Sequence, residues 1–161
     1  MPKAVLVYII NDHKVCLGQK LRGINQGKWT GIGGKLEAGE DWTTCAIREC
    51  KEEINCQLKP ELLKLHARLE FVNQVNTWKV RVFLTHQAGL MPQSTEEIKP
   101  QWFNLNQVPY HLTPQSDRLW LPALLSGYYL IGKFEYSTDK QLIYGQTKTF
   151  LHLKDFTTQL S

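Results

Sequence analysis

Apolar and polar positions divide this chain into short blocks. Ala4–Ile10 is an apolar, β-branched run and Val15–Gln19 is another. Between them Asn11-Asp12-His13-Lys14 is rich in turn formers, so the pair predicts a β-hairpin with a four-residue turn. Six glycines then fall between Gly23 and Gly39, which demands backbone freedom or close approach to a ligand. From Glu40 to Ile54 there is no Gly or Pro, and apolar residues recur at 46, 47, 50 and 54, the period of a helix. Leu65–Phe71, Thr77–His86 and Gln101–Leu105 read as strands. Asp117 is placed to cap a helix carrying Leu119, Leu121, Leu124 and Leu125, with Pro122 in its first turn or two. Tyr128–Tyr136 and Leu142–Tyr144 predict a last hairpin around Thr138-Asp139. The final ten residues show no clear pattern, and fraying is expected at their ends. Strands first and last, with one strong helix in the middle and one late, predict a mixed sheet with helices on its faces. The class is α/β in the broad sense, α+β in arrangement, and one domain over residues 1–161.

Composition narrows the partners. Hydrophobic residues make up 42% and charged residues 21%, as in an ordinary globular protein. A chain of this length buries about 70% of its unfolded surface and needs no disulfide or structural metal to hold a core. The net charge of +4 leans towards anionic partners, but the basic residues are scattered, so polymeric nucleic acid is not expected. The four cysteines, at 16, 45, 50 and 56, form no C-x-x-C pair, and they read as reduced, buried thiols. The N-terminal apolar run is too short for a signal peptide and lacks a cleavage site, and no stretch approaches a membrane helix. The expectation is a soluble, cytoplasmic protein, monomeric or a small homo-oligomer, with a small-molecule partner.

The segment Gly34–Cys56 carries the chemistry. At about 100° per residue, Glu49, Glu52 and Glu53 share one helix face, with Ala46, Cys50 and Ile54 on an adjacent one. Each like-charge pair at ~5 Å costs about 3 kcal/mol at an effective dielectric of ~20. The carboxylates can splay into water, as on any solvated helix face, or share a cation. Hard oxygen ligands suit Mg²⁺ or Mn²⁺ rather than zinc.

Gly34, Glu40, Arg48-Glu49, Glu52-Glu53, Asn55 and Cys56 stand at the spacing G-x5-E-x7-R-E-U-x-E-E-x-G-U, where U is a bulky apolar residue. That run, residues 34–56, resembles the Nudix box. Asn55 departs from the family's Gly, but Asn is the next best residue for a left-handed position after a helix. The likeness extends over about residues 3 to 145. Lys14–Gly23, Gly27–Lys35, Glu96–Phe103 and Trp120-Leu-Pro122 resemble the oxidised-purine nucleoside triphosphatases of that family.

The resemblance implies an α/β/α sandwich and water attack on phosphorus within a diphosphate linkage, giving a monophosphate and pyrophosphate from a triphosphate. It implies that Glu49, Glu52, Glu53 and the Gly33 carbonyl bind Mg²⁺ (or Mn²⁺), and that Arg48 orients the carboxylates with Glu40. Glu53, Glu52 and Glu97 are the candidate bases; Glu97 reads equally as a surface residue in a polar loop. Lys20 matches a phosphate-contacting position or is a solvated strand-end lysine. Ile24, Thr30, Gly34, Leu69, Phe71, Trp78 and Asp117 are expected to contact the nucleotide. Thr30 stands where those enzymes carry Asn, Trp78 where they carry Met, Leu69 where they carry Phe, and Asp117 alone remains of a paired Asp, so base choice is expected to differ or relax. Trp29, Trp102 and Trp120 read as core packing. Two further readings are another diphosphate substrate, such as a nucleotide sugar or dinucleoside polyphosphate, and a binding module without catalysis. The intact Glu set speaks against the latter.

Overall fold

The computed structural model describes residues 1–160. The first hairpin pairs β1 (Lys3–Asn11) with β2 (Lys14–Lys20). Its turn is tighter than expected. Asn11 pairs with Lys14, and only Asp12 and His13 turn the chain, both with positive φ (51° and 61°). Asn and Asp sequences favour the mirror-image two-residue turn because its twist matches that of the strands.

β1 divides its partners. Ile9–Asn11 pairs with β2, while Ala4–Val7 pairs with β4 (Ile32–Lys35). Between these arms lies the two-residue β3 (Trp29–Thr30), hydrogen-bonded to Gly18 and Gln19 of β2. Neither β3 nor β4 has an apolar alternation, and glycine runs conceal strands this short. The other edge of β1 runs parallel to β6 (Thr77–Thr85), which forms an antiparallel pair with β5 (Leu63–Val72). β7 (Ile98–Asn104) pairs with β2 along its length. β8 (Tyr129–Tyr136) lies parallel to β5, and β9 (Leu142–Phe150) is antiparallel to β8. The result is one mixed nine-stranded sheet.

α1 (Trp42–Ile54) and α2 (Asp117–Leu125) cover opposite faces, the sandwich expected above. Alternation along β1 explains how one strand serves both. Val5, Val7 and Ile9 pack with Cys45, Ala46, Cys50 and Ile54 of α1; Tyr8 and Ile10 pack with Trp120, Leu121 and Leu124 of α2. Each such side chain contributes about 1.5–3 kcal/mol on burial. Trp29 and Trp120 lie in the α2-side core, and Trp102 packs against the other. All four cysteines are buried and unpaired.

Two expectations change at the helices and one at the chain end. α1 starts at Trp42 because the Asp41 side chain accepts from the Thr44 amide at 2.7 Å. Asp117 does not cap α2; it is the first helical residue and is buried, and Ser116 takes the cap position without a side-chain bond. β9 runs to Phe150, well beyond Tyr144, and α3 (Leu153–Thr157) follows within the final ten residues, where the sequence shows no clear pattern. β9's exposed Gln, Thr and Lys residues hide the strand from periodicity. The tail is held by Phe156, which is buried against Tyr129 and Phe150 at ring-centroid distances of 5.5 and 6.2 Å. Ser161 lies outside the described residues. Among the described residues no helix is long and apolar enough to cross a membrane.

Candidate active site

The Gly31–Lys35 segment is laid over α1 by β1's second arm. Its glycines leave no room for a side chain. A methyl on Gly33 would overlap the Val5 carbonyl oxygen, and one on Gly34 would lie 2.5 Å from the Glu49 carboxyl. Glycine is thus required by close approach of strand, strand and helix. Glu49 and Glu53, one turn apart on α1, are both buried beneath this segment. Glu52 is not; its side chain is 58% exposed and reaches outward to Arg48. The three carboxylates expected on one face therefore divide into an enclosed pair and an outer member.

Arg48 organises them. Its Nε and Nη2 donate to the two oxygens of Glu40 at 2.7 and 2.8 Å, a bidentate pair. Nη1 donates to Glu49 at 2.9 Å and to Glu52 at 3.1 Å, and Nη2 also reaches the Lys35 carbonyl at 3.0 Å. Bonding to Arg48 holds the Glu40 carboxyl down at about 2, so this clamp stays ionised throughout the neutral range. The expected pairing of Arg48 with Glu40 is present.

Glu53 is the unsatisfied member. Its Oε2 is buried without a hydrogen-bond partner. Burial, then the negative charge of Glu49, push its carboxyl up to about 7, against the pull of Lys20 and the Gly33 backbone. Burial likewise raises Glu49, opposed by Arg48. Lys20 therefore lies within electrostatic reach of Glu53, and of Glu97 as well. Glu97 is brought to the same end of α1: Leu21 N donates to its carbonyl at 3.0 Å, and its neighbour Thr95 donates to the Glu53 carbonyl at 2.8 Å. Its carboxylate is paired with Arg22, which holds it below the ordinary range.

Among the described residues no three acidic, His or Cys side chains already converge as a closed metal cage. The donor set nevertheless fits a hard divalent cation. An orphaned buried carboxylate oxygen beside a second buried carboxylate is costly alone and is relieved by a cation.

Across the sheet, beneath α2, lies a second polar cluster inside the apolar core. The Tyr8 hydroxyl, Ser116 Oγ and Trp120 Nε1 are all buried without partners. Tyr8 and Trp120 meet edge to face at 6.1 Å. Asp117 beside them is nearly fully enclosed, and burial pushes its carboxyl up to about 8, so it is protonated at neutral pH. Thr30 is also buried, and its hydroxyl donates to the Gly31 carbonyl at 2.9 Å. Leu69 is buried in the same core, and Phe71 and Trp78, cross-strand neighbours, are half-exposed at its margin. Phe71 is in turn stacked on Phe134 at 5.5 Å, and the Lys35 ammonium sits 5.0 Å over Trp78. Six of the expected nucleotide residues thus fall into two neighbourhoods: Gly34 beside the carboxylates, and Thr30, Leu69, Phe71, Trp78 and Asp117 around the α2-side cluster. Ile24 stands apart, 71% exposed on the loop after β2. Tyr8, Ser116 and Trp120 were missed as polar participants. Their signal was a polar tip within runs otherwise read as core.

The NUDIX domain family profile matches residues 1–124. The chain belongs to the Nudix family. It is 32% identical over 138 residues to a mouse (Mus musculus) oxidized purine nucleoside triphosphate hydrolase, covering 86% of this chain and 88% of the relative. The zebrafish (Danio rerio) protein of the same name is 30% identical over 131 residues, covering 81% and 84%. In fold, the chain superposes on a MutT protein from Bacillus halodurans with a TM-score of 0.79 at 23% identity, over 92% of this chain and 98% of that one. Within this Nudix hydrolase the box departs at Asn55, whose backbone takes the left-handed conformation at φ 55°, ψ 39°. Its amide caps the Cys50 and Lys51 carbonyls, which is the work of the family's glycine.

Proposed function

We propose that this Nudix hydrolase cleaves a nucleoside triphosphate, an oxidised purine such as 8-oxo-dGTP foremost, to the monophosphate and pyrophosphate. The observation that carries this reading is Glu53 Oε2, buried and unpartnered one helical turn from Glu49 and close under the Gly33-Gly34 segment. Glu49, Glu53, the outer Glu52 and the Gly33 carbonyl would hold the cation, Mg²⁺ or alternatively Mn²⁺, which when bound neutralises charge on the phosphates. Arg48 fixes the Glu49 carboxylate in place through bonds that Glu40 keeps rigid. Lys20 offers a positive charge to the phosphate chain on the same side. Glu53, with an unpartnered buried oxygen at the site, is the foremost candidate to take a proton from water, whereas Glu97 is held below the ordinary carboxylate range by Arg22 and is the weaker base.

The α2-side cluster supports a purine ligand. Trp78 and Phe71 present ring surface for stacking. Protonated Asp117 offers an O–H donor, with the Tyr8, Ser116 and Trp120 polar tips behind it. A site that leaves buried donors unpaired discriminates strongly in favour of a ligand that pairs with them. Thr30, already bonded to Gly31, offers less to a base edge than an Asn amide would.

The test is product analysis over 8-oxo-dGTP, 2-oxo-dATP, dGTP and a nucleotide sugar, with and without Mg²⁺. Pyrophosphate release should be greatest for an oxidised purine and should cease on chelation. Glu53→Gln should lower kcat about 10²- to 10⁴-fold. Undiminished release from this variant would remove the catalytic assignment. Equal, negligible turnover of all the purines, with hydrolysis of the nucleotide sugar, would redirect it to another diphosphate.

A further inference from the structure

The face of the sheet that carries α1 is only partly covered by it. Beyond α1, across β6, β5, β8 and β9, lies an open concavity of about 570 Å³ that the chemistry above does not use. Its charged lining is Arg68, Lys79, Arg81, Lys133 and Lys148, against the single carboxylate of Glu70. Glu70 stands in register with Lys79 on β6 and with Lys133 on β8, so two cations flank the one carboxylate along its own row. Arg68 and Arg81 are directly opposite each other on antiparallel strands. Like charges in that position destabilise a sheet.

Nothing in the fold relieves the pair. Among the described residues no carboxylate lies within ion-pair distance of either guanidinium. Arg68 Nε is buried without a hydrogen-bond partner. Both groups instead lie over aromatic rings. Arg68 lies 5.0 Å over Phe156 of α3 and reaches the Phe156 carbonyl at 3.4 Å; Arg81 lies 5.0 Å over Trp42 of α1. A ring beneath a guanidinium restrains it, and the N–H groups it leaves uncovered match phosphate oxygens. Burial lowers the proton affinity of both arginines, and at Arg81 the charge of Arg68 adds to it.

We propose that this concavity is a second binding site, for a small, multiply charged phosphate compound bridged between Arg68 and Arg81, with Lys148 on its rim. Together the two guanidinium groups offer more N–H donors than one carboxylate can accept, which favours the several oxygens of a phosphate. Five cations around one carboxylate leave a net positive charge that suits a ligand of more than one charge. The volume is that of a small-molecule site, which ranges over about 300–1,000 Å³. The inference is independent of the nucleotide reading, since it uses none of the residues in the Gly31–Lys35 segment or the α2-side cluster.

The test uses the full chain and inorganic pyrophosphate in the presence of a chelator, followed by amide chemical shifts and calorimetry. Shifts should centre on Arg68, Arg81, Ile131 and Lys148, with Arg68→Gln/Arg81→Gln weakening affinity at least tenfold and leaving kcat/KM for the triphosphate unchanged. Arg81→Gln alone should melt no lower than the parent without the anion, because it removes a repulsion, and should lose the anion-dependent rise in Tm. Shifts confined to residues 31–35 and α1, or equal affinity in the double variant, would overturn the proposal. Phosphatidylcholine vesicles containing phosphatidylglycerol form a second arm. Binding to them that the double variant loses assigns the same site to a lipid phosphate, and binding to pyrophosphate alone assigns it to a free one. A single-stranded oligonucleotide bound far more tightly than pyrophosphate would overturn the small-ligand assignment.

Discussion

At the scale of single residues, the protein concentrates cost where its ligands are expected. Asp117 has an ordinary value of 3.8 and is raised to about 8 by burial. The folded chain therefore keeps a proton that the unfolded chain gives up between those values. Stability is greatest below the lower one and falls as pH rises through the window. Glu53, raised for the same physical reason, gives a slope of the same sign. Denaturant titrations between about pH 5 and 8 should thus show stability falling with pH, less steeply in Asp117→Asn. An unchanged slope in that variant would mean that Asp117 is ionised in the fold. Gly34→Ala addresses the carboxylates from the other side. Its methyl must displace the Glu49 carboxyl, so turnover should fall about 10²-fold while the far-ultraviolet circular dichroism stays unchanged. Gly33→Ala has only backbone to displace, and it should cost about 2–3 kcal/mol of stability in urea unfolding.

At the scale of elements, α1 shows how a sequence rule and its exception meet. The left-handed Asn55 should be improved by its family's own residue. Asn55→Gly should leave stability within about 0.5 kcal/mol or raise it, and Asn55→Ala should lose about 1–2 kcal/mol in thermal or urea unfolding. Equal stability of all three would show that the cap is not a determinant. Helix α1, its apolar stripe and its acidic face were legible because 3.6-residue periodicity and the box spacing coincide there. The first hairpin was legible too, although Asp12 and His13 take the turn alone. β3, β4 and most of β9 were not. Glycines carry no pattern, and Gln146-Thr147-Lys148 pair through backbone bonds that no side chain announces. The same limit applied to the site. Spacing placed Glu49, Glu52 and Glu53 on one face, but only the overlying Gly33-Gly34 segment decides that two of them are enclosed and one is not. Tyr8 was invisible as a polar group because it sits in a run of Val and Ile that serves two cores at once.

At the scale of the whole molecule, those two cores share one sheet, and β1 belongs to both. They should not melt separately. Variants retaining Trp120 alone report the α2 side, and variants retaining Trp102 alone report the α1 side. Their fluorescence transitions in urea should coincide; two separated midpoints would show that the faces unfold independently. The tail belongs to the same unit through Phe156, which is 1% exposed. Phe156→Ala should cost about 3 kcal/mol in the same measurement, despite lying in a segment whose sequence promised nothing.

The four cysteines give the folded chain a built-in clock. Each sulfur is enclosed, none is bonded to another, and burial pushes Cys16 and Cys45 up to about 12, so the nucleophilic thiolate is nearly absent at neutral pH. An aromatic disulfide reagent added to the native protein has nothing to attack until the chain opens. Cys45 and Cys50 are carried by the helix that bears the carboxylates, and Cys16 lies in the strand that β1 and β7 flank. The pace at which each sulfur becomes modified thus times the opening of its own element, with no label engineered in.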